Sequence, residues 1–231
     1  MPPTREKTMT PRELIGVAEV PGGEPLRLVR HGRDHIIMLE RNELMSSRMS
    51  GSEEALAEMT LDRLSDPANA RLLIGGYGMG FTLRAALRRL GPKGWACVVE
   101  LVPGIIEWAR GPMAELADGC LDDPRTQLVM GDVGAEIARS RGSWEAILLD
   151  VDNGPDGLTR DANNGLYTMR GLERARAALA PGGVLAVWSA GPDPAFARRM
   201  RDAGFEVEEV QVRARSNGKG PRHVIWFGKK R

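Results

Sequence analysis

The stretch Leu72-Leu73-Ile74-Gly75-Gly76-Tyr77-Gly78-Met79-Gly80-Phe81-Thr82-Leu83-Arg84 decides the fold. It begins with an apolar run that reads as a buried strand. Four glycines in six residues then form a tight turn. Beyond them Leu83, Leu87 and Leu90 recur at helical spacing, with Arg84, Arg88 and Arg89 expected on the wet side. Glycine tolerates positive φ and lets a ligand approach the backbone. The following helix offers free N–H groups and the positive end of its dipole. A strand, turn and helix of this kind hold a nucleotide-like ligand, although such turns also serve simply to pack a helix on a sheet.

The chain continues from this turn as alternating strands and helices. Expected strands are Arg71–Gly75, Trp95–Glu100, Thr126–Met130, Ala146–Asp150 and Val184–Trp188. Pro103 opens one helix, and Asp193 caps another that Gly204 closes. The runs Phe205–Val212 and His223–Phe227 read as a terminal antiparallel pair. Alternation of this kind implies an α/β fold: a doubly wound, mainly parallel, Rossmann-like seven-stranded sheet with an antiparallel C-terminal strand. Upstream, Leu26–Arg30 and His35–Leu39 flank His31-Gly32-Arg33-Asp34 as a small β-hairpin, and Ser52 is expected to cap a helix running to about Leu64. The resulting division is an extended or disordered tail over 1–24, a hairpin unit with a linking helix over 25–68, and a ligand-binding domain over 69–231.

Composition narrows the function classes. The chain has 231 residues, 42% hydrophobic and 27% charged, with a net charge of +1. That balance gives no general drive toward nucleic acid or acidic membranes. No run approaches the roughly 18 apolar residues of a membrane span. Met1 to Pro11 is polar and proline-rich, without the apolar core of a signal peptide, so a cytoplasmic protein is expected. Cys97 and Cys120 lack CxxC spacing, and His31, His35 and His223 are scattered, so neither a disulfide nor a metal site is expected. The segment 213–222 is basic but has no interleaved aromatic, and reads as a solvated hairpin tip rather than a nucleic-acid surface.

In doubly wound sheets ligands lie beyond the carboxyl ends of the strands. Acids stand at three of those ends. Glu100 lies twenty positions after Gly80, placed for ribose hydroxyls. Asp132 can face an adenine amino group or cap a helix. Asp150 opens a long loop, Asp150-Val151-Asp152-Asn153-Gly154-Pro155, that reaches about Tyr167. Turn chemistry accounts for Gly154 and Pro155 but not for an acid at the strand end itself.

These segments together resemble the spermidine synthase-like family, within the class I S-adenosylmethionine-dependent methyltransferase fold. The resemblance covers about residues 26–228. It rests on the glycine turn, Val99-Glu100-Leu101-Val102-Pro103, Asp123-Pro124-Arg125, Gly131-Asp132, Leu149-Asp150 and Pro181-Gly182-Gly183-Val184, and on the segments from Met45 to Arg48 and from Ser52 to Met59. It implies that Gly75, Gly76, Tyr77, Gly78, Glu100, Leu101, Asp132, Val133 and Asp150 line an S-adenosylmethionine or decarboxylated S-adenosylmethionine site. It also implies a small-molecule acceptor and a homodimer. Candidate acceptor-pocket residues are Tyr77, Tyr167, Trp188 and His223.

Three departures lie on the amine side. The family's aminopropyltransferases carry Gly-Gly-Gly-Asp-Gly-Gly in the first turn, whereas no acid occurs from Gly75 to Phe81. Their Asp-Ser-Ser/Thr-Asp-Pro segment places Asn153 at the position of the general base, and an amide cannot take that role. Asp152, one residue away, is the candidate substitute beside Asp150. Leu56 stands where the family has a tyrosine. The expectation drawn from these losses is a methyltransferase acting on an amine or hydroxyl. An aminopropyltransferase is the first alternative, and a non-catalytic cofactor-binding or scaffolding protein the second.

Overall fold

The computed structural model describes residues 11–151 and 164–231. Four strands come first: β1 (Arg12–Ala18), β2 (Leu26–His31), β3 (Asp34–Leu39) and β4 (Asn42–Ser46). They form one antiparallel sheet in sequence order. The expected hairpin is therefore only the centre of a larger unit, and residues 12–18, assigned to a tail, are its edge strand. Leu14 and Val17 of β1 are exposed, which leaves the strand without the clean alternation that would reveal it.

Helix α1 (Gly51–Leu61) follows. Ser50 rather than Ser52 occupies its N-cap, and Ser52 is fully buried inside the first turn. The helix ends three residues short of the expected Leu64. The main domain then runs β5 (Arg71–Gly75), α2 (Phe81–Arg89), β6 (Trp95–Glu100), α3 (Pro103–Arg110), α4 (Ala114–Ala117), β7 (Thr126–Met130), α5 (Val133–Arg139) and β8 (Trp144–Leu149). After the undescribed segment come α6 (Asn164–Tyr167), α7 (Met169–Ala178), β9 (Leu179–Ser189), α8 (Pro194–Asp202), β10 (Phe205–Arg213) and β11 (Arg222–Lys230).

The seven-stranded sheet has the order β10-β11-β9-β8-β5-β6-β7. Only β11 runs antiparallel to its neighbours β9 and β10. Helices cover both faces, so the central strands are buried on both sides. Leu72, Leu73, Ile147 and Leu148 have no exposed surface, as the continuous apolar runs require. The order reverses between β5 and β8, and the polypeptide is stitched there by Asp150 N donating to Gly75 O at 3.0 Å. On the other side of β5, Gly76 N donates to Val99 O at 2.9 Å.

Arg84 is not on a wet face. It pairs with Glu54 of α1 at 2.8 Å and donates to Leu116 O, tying α1 and the α4 region to α2. Among the described residues no helix is long and apolar enough to cross a membrane.

Candidate functional site

Three residues of the glycine turn, Gly76, Gly78 and Gly80, have positive φ, and the first two line the adjoining cavity. Gly76 has φ +85°, and a Cβ there would sit 2.5 Å from the carbonyl oxygen of Asp150. Gly78 has φ +55°, with the Met45 methyl 2.5 Å from the same hypothetical atom. Both positions need the missing side chain, for backbone geometry and for close approach.

Beside this turn lies a cavity of about 340 Å³. The main sheet contributes Gly76, Gly78, Glu100, Leu101, Gly131, Asp132, Val133, Asp150 and Val151, all at or just after strand ends. Ile37 and Leu39 of β3 and Met45 and Ser46 of β4 form an opposite, largely apolar wall. The N-terminal sheet is thus half of the site. Trp188, Ala190 and His223 close one end.

Glu100 is 7% exposed and spends its carboxylate on backbone: Oε2 accepts from Tyr77 N and Oε1 from Val102 N, both at 2.8 Å. Burial raises its pKa, and these N–H donors oppose the rise. The N–H groups of Leu101 and Gly78 also favour the ionised form, so this carboxylate organises the turn while it lines the cavity. Asp132 caps α5, its Oδ1 accepting from Ala135 N at 3.0 Å, and also lines the cavity. The two readings weighed from the sequence, cap and ligand contact, are compatible at this residue.

Asp150 Oδ2 accepts from Thr82 Oγ1 at 2.8 Å. Glu53, from α1, reaches the same end of the cavity and is 7% exposed. Burial pushes both carboxyls above the ordinary carboxylate range, and the Asp150 charge raises Glu53 further. Neither has a cationic partner among the described residues. Ser52 Oγ donates to Glu53 Oε2 at 2.7 Å, and His223 Nδ1 lies 2.9 Å from Ser52 Oγ. The single hydroxyl hydrogen is used on Glu53, so the bond to Ser52 requires His223 Nδ1 to carry a hydrogen. Burial lowers the pKa of His223, which favours the neutral ring with Nε2 as the free acceptor. The Trp188 ring meets His223 edge-on at 4.8 Å between centroids. Trp188 Nε1 and Ser46 Oγ are buried with no partner among the described residues.

Two expected acceptor residues lie elsewhere. Tyr77 faces inward: its hydroxyl meets Cys120 Sγ at 3.6 Å, and a Cβ on Gly80 would lie 2.6 Å from it. Burial raises its pKa far above the usual phenol value. Tyr167 packs edge-on against Phe196, and its hydroxyl donates to Val151 O at 3.3 Å, so it braces the strand end from outside the cavity wall. Trp188 and His223 do line the cavity. Asp152 and Asn153 lie outside the described residues. Asp123-Pro124-Arg125 acts on α2, because Arg125, clamped by Asp123, donates to Leu87 O and Leu90 O.

Sequence reading missed Glu53, Ser46, Ser52 and Thr82. A signal for Glu53 was present. It shares the buried helix face with Leu56, Ala57 and Thr60, and a carboxylate on such a face rarely lacks a use.

No protein-family model matches the chain. It is similar to polyamine aminopropyltransferase 1 of Streptomyces coelicolor, 32% identical over 163 residues, which are 67% of this chain and 30% of that protein. Polyamine aminopropyltransferase 2 of Pseudomonas aeruginosa is 29% identical over 192 residues, covering 78% of this chain and 52% of the relative. The chain therefore spans only 30% and 52% of the length of these two curated relatives. Among solved structures it is similar to spermidine synthase from Thermotoga maritima, with a TM-score of 0.75 at 18% identity over 94% of this chain and 72% of that one.

These names overturn the preference for methyl transfer. That preference rested on three departures on the amine side: the acid missing from the turn, Asn153 at the general-base position and Leu56 in place of a tyrosine. The folded site supplies acids from other elements: Glu24, Glu43, Glu53, Glu100, Asp132 and Asp150 all line the cavity, without a lysine or arginine among the described lining residues. By sequence relatives and by fold together, the chain belongs to the spermidine synthase-like family and has that family's class I methyltransferase-type architecture.

Proposed function

We propose that the protein is an aminopropyltransferase that takes decarboxylated S-adenosylmethionine as donor and a small linear amine as acceptor. The observation that carries this reading is the charge of the cavity: six carboxylates line it, with no lysine or arginine among its described residues. Such a lining favours ligands bearing several positive charges and offers no side-chain cation to a ligand carboxylate. The names of the relatives support the same reading.

The donor's sulfonium activates the adjoining aminopropyl carbon, and departure of a neutral thioether completes the transfer. The chain's own work is binding, orientation and proton transfer. Glu100 and Asp132 are assigned to the ribose and adenine, with Leu101 and Val133 beside them. Asp150 accepts the proton that the acceptor nitrogen sheds; its raised pKa brings it nearer to the working pH of a general base. The apolar wall of Ile37, Leu39 and Met45 excludes water from the methylene chain of the acceptor. Homodimer formation is kept in the proposal, and sedimentation velocity reads it.

The test is to incubate the protein with decarboxylated S-adenosylmethionine and a series of linear diamines and polyamines, measuring 5′-methylthioadenosine and the elongated amine. Equal amounts of the two products are expected. Failure to form either with any amine of the series overturns the assignment.

A further inference from the structure

The end of the cavity where α1 meets β8 holds a combination that the assignment above does not explain. Glu53 and Asp150 approach from different elements, both desolvated and neither ion-paired among the described residues. Removing one carboxylate from water is costly without a compensating charge, and two together cost more. In contrast Glu54, the next residue of α1, is satisfied by Arg84 at 2.8 Å. Ser46 of β4 is 2% exposed, lines the same cavity, and its Oγ has no partner among the described residues. A buried hydroxyl without a partner is rare and points to a missing ligand atom.

We propose that Glu53, together with the Ser46 hydroxyl, anchors the primary ammonium of the donor's aminopropyl arm. An ammonium has three donors and no acceptor, and the Glu53 carboxylate and the Ser46 hydroxyl oxygen can each accept from it. Thr82 fixes the corner beside the glycine turn, since its Oγ1 reaches both Asp150 Oδ2 at 2.8 Å and Glu53 O at 3.3 Å. Ser52, held by His223, orients the Glu53 carboxylate. The groups facing Glu53 are Asp150 from the end of β8, Glu54 from its own helix, and neutral His223 of β11 through Ser52. Burial beside Asp150 keeps a proton on Glu53 more readily than on a free carboxyl, and an arriving ammonium displaces that proton.

The inference rests on the aminopropyltransferase reading, and one calorimetric experiment separates the two. Decarboxylated S-adenosylmethionine and 5′-methylthioadenosine share the nucleoside; only the first has the ammonium arm. Wild-type protein should bind the first more tightly. Glu53→Gln, nearly the same shape without the charge, should lose tenfold or more of affinity for the donor and leave 5′-methylthioadenosine unchanged, which also reports an intact fold. Ser46→Ala, a milder cavity-wall change, should lose a few-fold for the donor alone. Titrations in buffers of different ionisation enthalpy should show proton release on donor binding that disappears in Glu53→Gln. A wild-type preference for the donor that both variants retain overturns the anchor and leaves the aminopropyltransferase reading standing. Absence of any wild-type preference overturns both.

Discussion

Thr82 Oγ1 donates to Asp150 Oδ2 at 2.8 Å, joining the first turn of α2 to the end of β8 across the glycine turn. The bond favours the ionised carboxylate and so opposes the upward pull of burial on its pKa. Thr82→Val keeps the shape and removes the donor. Asp150 then holds its proton to higher pH, and the acidic limb of the pH–rate profile moves upward by about one unit, equivalent to about 1.4 kcal/mol. An unmoved limb would show that Asp150 is not the group whose ionisation limits the rate.

Glu53 makes a prediction about stability as well as binding. Its folded pKa is raised, so the folded protein favours the protonated form. The stability this contributes is fully present below the ordinary value of 4.5 and is lost progressively as pH rises toward about 8. Glu53→Gln removes that dependence. Relative to wild type it should gain thermal stability as pH goes from 5 to 9, by at least 2 °C if the cost of the buried charge is about 1 kcal/mol. Parallel Tm curves for the two proteins over this range would contradict the burial of a charged Glu53.

Asp132 combines a cap with a cavity-lining carboxylate, and two substitutions separate these roles. Asp132→Ala loses the bond to Ala135 N and should cost about 1 kcal/mol. Asp132→Ser keeps an N-cap oxygen and should unfold within a degree or two of wild type. Both should bind 5′-methylthioadenosine about tenfold more weakly if the carboxylate meets the adenine amino group. Unimpaired binding by the serine variant would reduce Asp132 to a cap.

Alanine at Gly76 and at Gly78 should have unequal effects. Each faces a left-handed backbone penalty of about 1–2 kcal/mol. At Gly76 the new atom would also press on the Asp150 carbonyl, a backbone group that cannot move without shifting the catalytic candidate. At Gly78 it meets the end of the flexible Met45 side chain. Denaturant unfolding should therefore rank Gly76→Ala as the less stable, and steady-state kinetics should show the larger kcat loss there. Equal losses would mean that contact with Asp150 is not the sensitive element.

The sequence by itself determined the architecture of the main domain. Period-two and continuous apolar runs, the glycine turn, Pro103 and Asp193 mark elements by local chemistry, and their alternation admits one parallel sheet. It also placed Glu100, Asp132 and Asp150, because strand ends at a sheet's carboxyl edge converge whatever the loops do. What only the tertiary structure decided is the company those residues keep. Glu53 and Asp150, 97 positions apart, are both met by Thr82 Oγ1 because α1 docks on α2, a juxtaposition that no local pattern encodes. β1 was hidden because its exposed leucine and valine break the alternation, and with it went the sheet that walls the cavity. Tyr77 shows the reverse: sequence adjacency to the turn suggested a ligand contact, but the turn's handedness sends the ring inward to Cys120. A charge deleted from one segment was read as a lost recognition element, whereas an electrostatic site is a sum over all elements that surround it, and three-dimensional packing performs that sum.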